Sequence, residues 1–162
     1  MVYSSFDVRN SIRQLLGILR LNEDDKEEYS IPVEHVDYSD SYIYVAIYFS
    51  EEINSDTLPS MPFIELEPLM SIYEPHDIAA ATRKMEGWVT LHLYFTNIDG
   101  IIPINFAKTI KDYIQNKIRN NQCSVSGIDF MNIEEERFER ETDGHQEVFH
   151  YIITLYCVYY DI

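Results

Sequence analysis

Glycine is scarce, with five residues in a chain of 162. Backbone cradles for phosphate need glycine-rich loops. No G-x-x-x-x-G-K-[ST], G-x-G-x-x-G or G-x-S-x-G pattern occurs. Cysteine is scarcer still. Cys123 and Cys157 are far apart and match no metal or redox spacing. Two thiols and no evident signal peptide fit a reducing cytoplasm. Basic residues are also few, 12 Lys and Arg against 28 Asp and Glu, for a formal net charge of −16. Such a chain cannot hold duplex DNA by neutralising its phosphates. The charge instead suits DNA sliding past without sticking, a basic protein partner, DNA mimicry or plain solubility. No apolar run reaches the roughly 18 residues of a membrane helix, so no membrane partner is expected.

Hydrophobic residues make up 46% of the chain and charged residues 25%, as in folded proteins. The length suits one domain, residues 1–162, without repeats or an interdomain linker. Thirteen tyrosines stand out. Tyrosine serves cores and protein contacts alike, because its ring is apolar and its tip polar.

Periodicity predicts a helix over residues 4–20, where Val8, Ile12, Leu15, Leu16 and Leu19 recur on one face. A second helix is expected from Pro103, with Ile104, Ala107, Ile110 or Lys111, Ile114 and Ile118 facing inward. Around Pro32 a short strand is expected, confined to an edge or a start. Residues 63–74 read as an extended segment broken near Pro68. Residues 128–140 read as a strand that becomes acidic. Asp143-Gly144 signals a hairpin turn into a long final strand.

Three strands split by parity. Ile43, Val45, Ile47 and Phe49 oppose Tyr42, Tyr44, Ala46 and Tyr48. Val89, Leu91, Leu93 and Phe95 oppose Trp88, Thr90, His92 and Tyr94. Phe149 to Tyr159 alternate with Val148 to Tyr160. The expectation is an α+β fold, a mostly antiparallel sheet with both amphipathic helices on its aliphatic face. The other face then carries Tyr42, Tyr44, Tyr48, Trp88, Tyr94, Tyr156 and Tyr160. Either neighbouring copies cover it, or the chain's own loops and the 63–74 segment do. Residues 74–87 are expected to form a long mobile loop, with one helical turn at Ile78 to Thr82. Arg83 and Lys84 in that loop are candidates for docking an acidic patch on a neighbour, the alternative being a solvated pair.

Catalytic chemistry finds no support in these patterns. The five histidines match neither H-E-x-x-H nor a zinc pattern, so neither metal nor cofactor is expected. His145 and His150 are expected on opposite faces, and His35 and His92 have no evident partner. Asn97-Ile98-Asp99-Gly100 reads as a turn rather than a calcium loop. Cys157 reads as a buried structural thiol. An enzyme would need a site assembled from scattered residues, around His92 and nearby carboxylates.

Four stretches together resemble the tail terminator (tail-completion) proteins of long-tailed bacteriophages and related viruses. They are FDVRNSIRQLLGIL, TRKMEG followed by WVTLHLYF, FAKTIKDYIQNKI, and the ending DGHQEVFHYIITLYCVYYDI. The chain departs from that pattern in its longer stretch before residue 74 and in its acidity. The resemblance implies a structural virion protein without catalytic residues, assembled in the host cytoplasm. It implies a homo-oligomeric ring, commonly a hexamer, that caps the tail tube and meets the head-side connector proteins. DNA would pass through its lumen without specific contact. A neck or head-completion connector subunit of similar fold, and an acidic DNA-mimic inhibitor, are the alternative readings.

Overall fold

The computed structural model describes residues 5–34, 41–74, 83–98, 101–121, 128–144 and 146–161. The elements are α1 (Ser5–Leu16), β1 (Ile18–Leu21), β2 (Glu27–Glu34), β3 (Tyr42–Phe49), β4 (Phe63–Leu66), β5 (Met70–Glu74), β6 (Arg83–Phe95), α2 (Pro103–Asn121), β7 (Ile128–Asp143) and β8 (Gln146–Asp161). The strands form one sheet in the order β1-β2-β3-β4-β6-β8-β7, with β5 pairing β6 beyond the end of β4. Among the described strands only β3 and β4 run parallel. The fold is α+β with a mostly antiparallel sheet, as its alternating pattern predicts.

Both helices bury against the aliphatic face. Val8, Ile12 and Leu16 of α1 and Phe106, Ala107, Ile110, Ile114 and Ile118 of α2 share one cluster with Val45, Ile47, Phe49, Val89, Leu91, Leu93 and Phe95. Each such aliphatic or aromatic side chain contributes about 1.5–3 kcal/mol by leaving water. Ile104, expected inside, is exposed, and Phe106 takes the inward position. The helix starts at Pro103, and its buried stripe begins at Phe106 and Ala107.

The first helix is shorter than its apolar spacing predicts. Gly17 ends it, donating its amide to the Arg13 carbonyl at 3.0 Å, and residues 18–21 become β1. Leu19 matches the helical period yet stands exposed on that strand. At Gly17 a Cβ would lie 3.0 Å from the Tyr29 Cβ and 3.1 Å from the Ser30 amide. Only a bare backbone lets the chain turn so closely over β2.

Pro32 lies past the last β1–β2 pair, Ile18↔Ser30, where β2 has β3 alone beside it, with Pro32 opposite Tyr44. The 63–74 segment does not cover the outer face. It lies in the sheet as β4 and β5, two strands end to end on one side of β6 with Pro68 between them. Strands β7 and β8 form a long hairpin closed at Gly144, whose φ of 64° suits glycine. A bridge pairs Ile98 with Ile101.

Candidate functional site on the outer face of the sheet

Register carries side chains into rows across the outer face. Ala46, Phe63, Tyr94, His150 and Glu139 are successive partners on β3, β4, β6, β8 and β7. The next row holds Tyr48, Glu65, His92, Ile152 and Arg137. Rings stack along the first row. Phe63 and Tyr94 have centroids 5.3 Å apart, and Tyr94 and His150 have centroids 4.4 Å apart at 15°. Phe63 and His150, both members of this row, are buried although both helices lie on the opposite face.

The two histidines form the centre of a polar chain. His92 Nε2 lies 2.7 Å from Glu67 Oε1, and His92 Nδ1 lies 2.7 Å from His150 Nε2. His150 Nδ1 faces Glu139 Oε2 at 3.6 Å and Glu141 Oε1 at 4.0 Å. The other Glu139 oxygen accepts from Arg137 Nε at 2.9 Å. Burial, and then neighbouring His92, lower the His150 pKa, against the opposing pull of Glu139 and Glu141. Burial first, then Glu65, Glu141, Glu67 and Glu139, push the Tyr94 hydroxyl up to about 12. An open depression of about 470 Å³ beside His92 is lined by Glu67, Thr90, Glu135, Arg137 and Thr154, among others. His92 therefore has the partners that its sequence neighbourhood did not reveal.

The tyrosine face is laid out as parity predicts. Tyr42 and Tyr44 are exposed at 50% and 39%. Tyr48, Trp88, Tyr94 and Tyr156 are partly buried. Their polar tips find carboxylates of the same chain. Tyr48 donates to Glu28 at 3.2 Å, Trp88 Nε1 to Glu134 at 2.5 Å and Tyr156 to Glu86 at 2.9 Å. Burial, with Glu28 next, pushes the Tyr48 hydroxyl up to about 12. The Arg20 guanidinium lies 3.8 Å from the Tyr44 ring centroid. Tyr160 pairs with Lys84 in the backbone ladder, and its side chain lies outside the described residues.

Arg83 and Lys84 are not loop residues. They open β6, paired with Asp161 and Tyr160 of β8. The expected loop over 74–87 thus gives way to strand at 83–87, because β8 is long enough to offer those residues a ladder. The helical turn expected at Ile78 to Thr82 lies outside the described residues, as do His35, His76, Cys123 and His145. Cys157 is buried on the helix face, and burial pushes its thiol up to about 12.

A second cleft, about 440 Å³, opens between α2 and β7, lined by Lys108, Lys111, Glu136, Phe138 and Tyr151 among others. The Tyr151 hydroxyl and Lys111 Nζ both donate to Glu136, and these two bonds lower its pKa. Among the described residues no helix is long and apolar enough to cross a membrane. No family model matches this chain, and no curated protein matches it at a significant level.

Proposed function

We propose that the chain is a structural virion subunit, a ring-forming tail terminator that caps the tail tube and joins it to the head-side connector. The observation that carries this reading is the outer face of the sheet. Both described helices pack on the opposite side, while Tyr42 and Tyr44 stand exposed beside partly buried Tyr48, Trp88, Tyr94 and Tyr156. Aromatic residues with polar tips are enriched where protein surfaces meet. The net charge of −16 fits a subunit past which DNA slides, since like charges repel phosphate. A neck or head-completion connector would use the same face and the same charge.

The test is affinity purification of the tagged chain from cells that produce its virion, with mass spectrometry of what co-purifies. Tail-tube and neck proteins in fixed ratio are the expected result. Head-side proteins alone would reassign the chain to the connector. A single basic nucleic-acid-binding protein would replace the virion reading with DNA mimicry. Tyr42→Ala/Tyr44→Ala is the cleanest interface variant, because these rings are exposed in the single chain. It should weaken co-purification at least about tenfold with an unchanged thermal midpoint.

A further inference from the structure

When both imidazoles are neutral, hydrogen bonding sets where the outer-face histidines hold their protons. An ionised carboxylate only accepts, so His92 donates Nε2–H to Glu67. In a neutral imidazole the other nitrogen is then an acceptor. His92 Nδ1 must receive the proton of His150 Nε2, 2.7 Å away. That leaves His150 Nδ1 with a bare lone pair. The lone pair faces two more acceptors, Glu139 Oε2 at 3.6 Å and Glu141 Oε1 at 4.0 Å. Among the described residues three acceptors then converge with no donor between them.

We propose that His150 Nδ1, Glu139 and Glu141 bind a divalent cation of the zinc type. The three ligand atoms all lie within 4.8 Å of one another. Tetrahedral zinc with bonds of about 2.0–2.1 Å holds its ligand atoms ~3.3 Å apart. From 3.6 and 4.0 Å, the two carboxylate oxygens must approach Nδ1 by about 0.3 and 0.7 Å to reach that spacing. Their side chains can do so, being 39% and 60% exposed.

The surroundings match such a site. His150 is nine-tenths buried, and its ring lies against both Tyr94 and His92. Its second nitrogen is anchored through His92 to Glu67, the outer hydrogen-bonding pattern that orients metal-bound histidines. Arg137 takes one oxygen of Glu139 and leaves the other for the cation. Four carboxylates, Glu65, Glu67, Glu139 and Glu141, act on Tyr94 at the same spot. A nitrogen with two carboxylates favours zinc and its transition-metal neighbours over calcium and magnesium, which prefer all-oxygen shells. Three protein ligands leave a fourth position for water.

Equilibrium dialysis of the untagged full chain against Zn²⁺ at pH 8 tests this. One ion per chain is expected, retained against about a hundredfold excess of Ca²⁺ or Mg²⁺. Glu139→Gln/Glu141→Gln should weaken binding about 100-fold or more, and these side chains are exposed enough to change without unfolding the chain. Glu23→Gln/Asp24→Asn removes the same charge from the exposed β1–β2 turn and should leave affinity unchanged. His92→Gln should weaken binding about tenfold by freeing the His150 ring and its tautomer. Equal loss in the turn variant would reduce the site to diffuse attraction. Full binding by Glu139→Gln/Glu141→Gln, or displacement by Ca²⁺, would overturn the assignment.

Discussion

Arg9 on α1 grips Glu51, just after β3, through two parallel hydrogen bonds of 2.9 and 2.5 Å. Its guanidinium carbon lies 4.2 Å from the Phe49 ring centroid, and the residue is only 6% exposed. The pair ties the first helix to the 3-10 turn at Ser50–Glu52. Hydrogen bonding to Arg9 holds the Glu51 carboxyl below its ordinary pKa. A depressed carboxylate stabilises the fold above its unfolded pKa, and that contribution disappears as pH falls through the folded value. Glu51→Gln should cost about 1 kcal/mol at pH 7, because Glu51 itself is exposed and screened. Urea titrations of both proteins at several pH values should show the gap shrinking as acid protonates Glu51.

Ser30 on β2 is fully buried, and its Oγ has no hydrogen-bond partner among the described residues. A buried hydroxyl without a partner costs about 1–3 kcal/mol. Ser30→Ala should therefore raise stability by about 1 kcal/mol, read as a higher urea midpoint with an unchanged slope.

Gly17→Ala should act in the opposite direction. Its methyl would meet the Ser30 amide at 3.1 Å, and a backbone atom in a ladder cannot step aside as a side chain does. A loss of about 1–3 kcal/mol is expected from such overpacking. Thermal denaturation followed by circular dichroism would measure it.

The buried Cys157 thiol, pushed up to about 12, should be inert in the folded protein. In a Cys123→Ser background the remaining thiol should react with an aromatic disulfide reagent only as fast as the chain opens. Reaction within seconds at pH 8 in the absence of denaturant would place that strand nearer solvent than described.

Alternation made the two faces of the sheet readable from residues 42–49, 88–95 and 148–160. Each strand buries one parity under helices, and the period of two survives in composition. Strand β1 was hidden because Leu19 fits a helical stripe as well as a strand. Only the close approach of Gly17 to β2 separates the two, and that approach is tertiary. The start of β6 was hidden because Arg83 and Lys84 look like loop residues until β8 supplies a partner.

The histidine cluster shows why sites are harder to read than faces. The hairpin turn at Gly144 already pairs Glu139 with His150, so that contact was within reach of the sequence. Joining His92 and Glu67 to it requires the order of β4, β6 and β8, which no local pattern specifies. A bulge adds to the difficulty. The register shift between Ile133 and Glu135 breaks the parity of β7, and Glu134 turns to meet Trp88.

Strand β6 is laddered on both sides, to β8 along its whole length and to β4 and β5 in two sections. The amide protons that β6 gives to these ladders should therefore meet deuterium slowly, in openings that part the middle of the sheet. Those of β1, at the rim with one neighbour, should trade in brief local openings. The chain thus keeps time at two rates, slow at its middle strand and fast at its first.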